Sequence, residues 1–235
     1  MMSTPRGTTR LPGLTTTAFA LIALALLTLA PTALGQGNGP ANASYYVHVT
    51  NLTRGQILSP PIVVSHSDDV ALWDVGTPAS PELAAVAEDA DGAGLLALAA
   101  STPLVTDVAV GPAPLPPGQT VVLEVAAAKP FDKITVLGML VVTNDAFFGV
   151  NSIDLPFRRM KETRYAVAYD AGSEANNESC DFIPGPPCGN AGVRATDGAE
   201  GFVHVHAGIH GGGDLDPATF DWRNPVVRVQ IQSTR

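Results

Sequence analysis

Acidic side chains follow two apolar segments of this chain at the points where each segment ends. The segment 134–142 precedes Asp145, and the segment 165–169 precedes Asp170 and Glu174. In proteins Ca²⁺ is bound by roughly six to eight oxygen atoms in adaptable geometry, so carboxylates gathered at strand ends suit this ion. The residue types therefore predict a Ca²⁺ site built from Asp145, Asp170 and Glu174.

The spacing of these acids is compatible with a single site. Asp170 and Glu174 stand four residues apart across Gly172, which lets the backbone fold back so that both side chains face one point. Asp145 lies 25 residues before Asp170, and a hairpin between the two apolar segments would bring their ends together. Three crowded carboxylates would raise one another's pKa unless a cation neutralised them. The alternative is that the acids act only as turn residues where strands end.

Three histidines form a second set of metal-binding side chains. His204 and His206 are separated by one residue, so they share a face in a strand, and His210 follows shortly after. Imidazoles in this arrangement suit Zn²⁺ or Cu²⁺, and Glu200 or Asp214 would add a carboxylate. The sequence leaves open an alternative function as a transition-metal protein or metalloenzyme that uses His204, His206 and His210. It equally leaves open that these histidines are structural.

The chain lacks the motifs of the common hydrolases. It contains no G-x-S-x-G elbow, no HExxH helix and no lone reactive cysteine. Paired acids would suit glycoside hydrolysis, but the aromatic residues that usually line sugar-binding clefts make up only 6% of the chain. We therefore predict a protein that is not an enzyme.

The first 35 residues have the pattern of a signal peptide. Arg6 and Arg10 precede an apolar run at 18–29, and the segment 33–35 supplies small residues suited to cleavage. The run is short for a membrane span of about 20 residues, although an uncleaved anchor is the alternative. No later segment is long and apolar enough to span a bilayer. We expect an exported protein, either secreted, periplasmic or on the cell surface.

The charge balance excludes some classes of partner. Outside residues 1–35 the chain has 11 basic and 22 acidic side chains. Nucleic acid and anionic lipid are bound through basic surfaces, so this balance argues against both. An acidic surface suits cation binding or simple solubility.

The two cysteines, Cys180 and Cys188, enclose a loop rich in proline and glycine. In an oxidising compartment such a pair favours one disulfide. The alternative, a metal site, is weaker because the spacing is not CxxC and the chain has no second pair.

Residues 45–235 read as one domain of short strands, after a flexible lead-in at 36–44. Most segments are rich in β-branched residues and alternate with a period of two. One departure is helical, because Ser80 is suited to a helix N-cap and Pro81 to the first helical position. Short strands among 20 prolines and 23 glycines favour an all-β fold, an antiparallel β-sandwich with a short helical excursion. The predicted strands are 45–52, 56–64, 104–110, 120–126, 134–142, 164–169, 201–207 and 226–232, and the predicted helical segments are 83–90 and 94–100.

Two motifs resemble the spondin N-terminal domain family. The segment 143–150 (TNDAFFGV) is similar to that family's S-P-D-W-F-x-G, and the segment 169–174 (YDAGSE) is similar to its W-D-A-G-T-D. Phe147 stands where the animal members have tryptophan, and Glu174 replaces an aspartate. Further similar stretches are SPELAAVAEDA at 80–90, GFVHVHAGIHG at 201–211 and DWRNPVVR at 221–228.

The resemblance implies a C2-like β-sandwich with a calcium site made by loop acids. Asp145 falls on the aspartate of the first motif, Asp170 on that of the second, and Glu174 on the final acid. By analogy with the animal members, the resemblance implies a non-catalytic adhesion or interaction module. Its expected partner is an extracellular or cell-surface protein or glycan, as yet unknown.

Overall fold

The computed structural model of the chain describes residues 43–127, 129–156 and 160–234. The predicted signal peptide at 1–35 and most of the predicted lead-in lie outside the described residues. The first strand begins at Ala43, two residues before the predicted start of the domain. The described residues form one compact unit.

The described residues contain nine strands and three helices, of which the last is a single turn. The strands are β1 (Ala43–Asn51), β2 (Ile62–His66), β3 (Val105–Val110), β4 (Thr120–Ala127), β5 (Lys133–Met139), β6 (Ala146–Asp154), β7 (Lys161–Asp170), β8 (His204–Val205) and β9 (Val227–Ser233). The helices are α1 (Pro81–Asp89), α2 (Ala93–Ser101) and α3 (Pro217–Phe220), and a 3₁₀ turn covers Cys180–Phe182.

The strands form an antiparallel sheet that folds into two layers. Its order is β3-β2-β5-β6-β7-β9-β1-β4, and β8 pairs with β7 outside this path. β7 belongs to both layers, because residues 167–170 pair with β6 and residues 161–166 pair with β9. The edge strands approach each other where Ala126 N donates to Asp107 Oδ2 at 2.7 Å, so the sheet is nearly closed. The predicted all-β antiparallel sandwich with short helices is confirmed.

Strands β5 and β6 are covered on both faces. Val136 and Phe148 point into the core between the two layers. Leu137 and Phe147 point to the opposite face, where α1 and α2 cover the sheet with Leu83, Val86 and Leu95. The helices therefore form a third layer against this sheet.

The sequence prediction missed β6, which starts directly after Asp145. The sequence predicts a strand at 134–142 and the next one only at 164–169. In the structure Ala146 begins a strand whose adjacent phenylalanines face opposite cores, so the period-two alternation of a half-exposed strand is absent. At 201–207 the sequence predicts a longer strand than the structure contains, because only His204 and Val205 form β8.

The N-cap of α1 gives a first testable prediction. Ser80 Oγ accepts a hydrogen bond from Leu83 N at 3.2 Å, and Pro81 occupies the first helical position as predicted. Ser80→Ala is expected to lower the free energy of unfolding by about 1 kcal/mol, because one backbone donor loses its partner. Urea unfolding measures this change. Ser101→Ala at the end of α2 is the matched control, and equal losses in both variants would contradict the capping role.

Candidate metal centre

The fold brings Asp145 and Asp170 to one end of the sheet. Asp145 immediately precedes β6, Asp170 is the last residue of β7, and the register of the two strands pairs Ala146 with Asp170. The expected hairpin between the segments 134–142 and 165–169 is wrong, because β6 lies between β5 and β7 in the sheet. The strand ends nevertheless meet, since both flanking strands are antiparallel to β6.

The loop that follows β7 wraps the carboxylate of Asp145. Asp145 Oδ2 accepts hydrogen bonds from Ser173 N at 2.8 Å, from Ser173 Oγ at 3.2 Å and from Glu174 N at 2.9 Å. The turn requires Gly172, because its φ is +67° and a Cβ there would lie 2.4 Å from the carbonyl oxygen of Phe202. Asp145 and Glu174 are thus tied to one another through the backbone.

Three carboxylate oxygens at this end of the sheet are buried and accept no hydrogen bond. They are Oδ1 of Asp145 and both Oε1 and Oε2 of Glu174. The two residues are 0% and 1% exposed. Arg194 forms a long ion pair with Glu174, because its Nε lies 3.7 Å from Oε1, which is beyond hydrogen-bonding distance. A buried ionised carboxylate without partners is strongly unfavourable unless it binds a proton or a cation.

The electrostatics favour proton or cation uptake near neutral pH. Burial, and then the charge of Asp170, raise the pKa of Asp145 to about 7. Burial, and then the charges of Glu88 and Asp145, raise the pKa of Glu174 to about 7, while Arg194 and then the nearby Asn144 side chain act in the opposite direction. Burial also raises the pKa of Asp170. Asp145, Asp170 and Glu174 are hereafter called the acidic edge.

Sequence reasoning missed two residues beside the acidic edge. Glu88 lies on α1 and is 9% exposed, and it forms an ion pair with Arg194. Arg194 also pairs with Asp89, so it links the end of α1 to the loop that carries Glu174. No spacing in the sequence connects position 88 or 194 with the predicted ligands, because only the packing of α1 on the sheet brings them together.

Glu178, which also follows β7, has an environment different from that of Glu174. Its carboxylate accepts hydrogen bonds from the backbone N–H groups of His210, Gly211 and Gly212 at 2.6, 2.7 and 2.9 Å. Both of its oxygens are therefore satisfied. Glu178 fastens a loop, and it contrasts with Glu174, whose oxygens accept none.

The acidic edge does not close around one point. Within the described ranges, the set of three potential ligand side chains whose atoms all lie within 4.8 Å of one another is Asp170, Glu200 and His204. Asp170 Oδ2 faces His204 Nε2 at 3.8 Å and His206 Nε2 at 3.9 Å. Asp170 therefore stands between the other two acids of the edge and the histidines.

The three histidines differ in environment, and among the described residues they do not form a set of ligand atoms that all lie within 4.8 Å of one another. His206 is buried, its Nδ1 accepts from Gly208 N at 2.9 Å, and its Nε2 lies 2.9 Å from Asn176 Oδ1. Burial, and then the charges of His204 and His210, lower the pKa of His206 to about 4, so the ring is neutral. His210 is exposed, and its Nε2 lies 3.3 Å from the carbonyl oxygen of Ala207.

The predicted disulfide between Cys180 and Cys188 is present. It closes a loop next to the acidic edge, and Asp214 Oδ2 accepts a hydrogen bond from Cys180 N at 2.8 Å. Asp214 is thus a hydrogen-bond acceptor for the backbone of this loop. Asn144 holds the same region from the other side, because its Oδ1 accepts from Glu178 N at 3.2 Å.

No protein-family model matches the chain, and no curated protein matches it. Among the described residues, no helix has the length and apolar character needed to cross a membrane. The geometry of the acidic edge and the sequence motifs are therefore the grounds on which a function is inferred.

Proposed function

We propose that the chain is an exported, non-catalytic calcium-binding module of the spondin N-terminal type, with its cation at the acidic edge. The observation that carries this proposal is the set of three buried carboxylate oxygens of Asp145 and Glu174 that accept no hydrogen bond. A bound cation would satisfy these oxygens and remove the cost of burying their charges.

The donor atoms favour Ca²⁺ over other ions. Asp145 offers one oxygen and Glu174 offers two, which suits the mixture of monodentate and bidentate carboxylates that Ca²⁺ accepts. Asp170 adds a third carboxylate, whose charge acts on Asp145. Its oxygens also accept hydrogen bonds from Gly172 N and Asn176 Nδ2. Mg²⁺ requires near-ideal octahedral geometry, which an irregular loop provides less readily.

The biological role follows from what the cation would order. Ca²⁺ at the acidic edge would fix the loop between β5 and β6 and the loop after β7, and so shape one end of the sandwich. We propose that this end contacts an extracellular or cell-surface protein or glycan in adhesion. The two spondin-type motifs, the acidic composition and the Cys180–Cys188 disulfide support an exported module of this kind.

Thermal unfolding of the chelator-stripped protein tests the proposal. At a hundredfold excess of Ca²⁺ over its Kd, one site stabilises the fold by about 2.7 kcal/mol. A domain of this size then melts several degrees higher, and Mg²⁺ at the same concentration is expected to shift the Tm less. An unchanged Tm at millimolar Ca²⁺ and pH 7.5 would refute the calcium site.

A further inference from the structure

A cluster of nitrogen and oxygen ligands lies beside the acidic edge. It consists of Asp170, Glu200 and His204, and is called the mixed cluster. Asp170 is buried, His204 is half-buried and Glu200 is exposed, so the cluster opens to solvent on one side. We propose that the mixed cluster is a second metal site, which shares Asp170 with the calcium site, and that it binds Zn²⁺ or a similar divalent transition-metal ion.

The ring of His204 is held in the tautomer that a metal ligand needs. Its Nδ1 lies 3.2 Å from the carbonyl oxygen of Phe202, which can only accept, so Nδ1 carries the hydrogen. In the neutral ring Nε2 then presents a free lone pair, and this atom lies 3.8 Å from Asp170 Oδ2. A backbone carbonyl commonly holds the second nitrogen of a metal-bound histidine in this way. His204 is thus the nitrogen ligand of the cluster.

One amide positions both carboxylates. Asn176 Nδ2 donates to Oδ2 of Asp170 and, at 3.3 Å, to Oε1 of Glu200. Its Oδ1 accepts from His206 Nε2, whose ring is fixed in turn by Gly208 N on Nδ1. His206 therefore holds Asn176 through Nε2 while Gly208 N fixes its ring through Nδ1, and it acts as a positioning residue. Such support fixes ligands before the ion arrives.

The ligand types select the class of ion. Imidazole nitrogen suits Zn²⁺, Cu²⁺ and their neighbours, whereas Ca²⁺ takes oxygen ligands. Asp170 has no Lys or Arg partner within 4.0 Å among the described residues. Its Oδ1 accepts from Gly172 N at 2.7 Å, and its Oδ2 accepts from Asn176 and faces the two imidazoles. One nitrogen and two carboxylate ligands leave a position of a tetrahedral Zn²⁺ ion for water, on the exposed side next to Glu200.

Calorimetric titration of the chelator-stripped protein with Zn²⁺ at pH 7.5 tests the proposal. We expect one equivalent of Zn²⁺ to bind, and His204→Ala to weaken binding by about tenfold or more, because the only nitrogen ligand is lost. Glu200→Gln is expected to weaken binding too while keeping an acceptor for Asn176. His210→Ala is the matched control, since this exposed ring lies outside the cluster, and its affinity should equal that of the wild type.

The outcomes separate this site from the calcium site. Unchanged Zn²⁺ affinity in His204→Ala, or equal weakening in His204→Ala and His210→Ala, would overturn the mixed cluster as a site. Circular dichroism of each variant checks that the fold is intact. Asp145→Asn should keep stoichiometric Zn²⁺ binding while losing the response to Ca²⁺. A Zn²⁺ site in a protein that ignores Ca²⁺ would refute the proposed function and support this inference.

Discussion

Asp145→Asn is expected to have opposite effects in the absence and in the presence of calcium. In the cation-free protein at pH 8 the variant should be more stable than the wild type, because asparagine removes a buried negative charge. Its amide oxygen can still accept the hydrogen bonds from Ser173 and Glu174. With saturating Ca²⁺ the order should reverse, because the variant lacks the oxygen that the cation needs.

The expected gain without calcium is large. Burial raises the pKa of Asp145 from its ordinary value near 3.8 to about 7. Once ionised, this carboxyl therefore lowers the free energy of unfolding by about 4 kcal/mol, which is the upper limit of the stability that Asp145→Asn can gain. Urea unfolding at pH 8 in chelator measures the gain, and the same titration in millimolar Ca²⁺ measures the reversal. Asp197→Asn changes an exposed aspartate in the long segment between β7 and β8, and this control should change neither value.

Two other results would count against this account. A destabilised Asp145→Asn protein in chelator would show that the charge of Asp145 is already balanced in the fold. A stabilised variant that still responds to Ca²⁺ like the wild type would place the cation elsewhere.

Most of the architecture follows from local sequence patterns. The helix α1 could be predicted because Ser80 and Pro81 are specific for a helix start, and this local preference agrees with the packing of Leu83 and Val86. The disulfide could be predicted because a chain with only two cysteines allows one pairing. β6 could not, since burial on both faces removes the alternation by which strands are recognised.

In the candidate site, too, some residues could be identified from the sequence and others could not. The acids at 145, 170 and 174 could be identified because strand ends and turn residues are visible in sequence. The difference between His204 and His206 could not, because both occupy equivalent positions in an alternating segment. What separates them is tertiary contact, since Gly208 and Asn176 occupy both nitrogens of His206, while Phe202 occupies only one of His204.

The affinity for Ca²⁺ is expected to decrease steeply as the pH is lowered. The pKa values of Asp145 and Glu174 are both raised to about 7 in the metal-free fold, so both carboxyls hold protons in weakly acidic solution. Ca²⁺ must displace these protons, and its apparent affinity decreases as the pH falls below the raised values. From pH 7.5 to pH 5.5 we expect a loss of roughly two to three orders of magnitude, with about two protons released per ion at pH 5.5.

Calorimetry in buffers of different ionisation enthalpy counts these protons directly. Glu174→Gln removes one of the two carboxyls whose pKa is raised to about 7, so the release at pH 5.5 should drop to about one proton and the pH dependence should become correspondingly shallower. Glu178→Gln is less suitable as a control because the Glu178 carboxylate holds three backbone N–H groups, whereas Asp197→Asn leaves the acidic edge untouched. A calcium affinity that stays constant between pH 5.5 and 7.5 would mean that the bound ion does not contact the two buried carboxylates. Such a result would remove the acidic edge as the calcium site even if Ca²⁺ stabilised the protein.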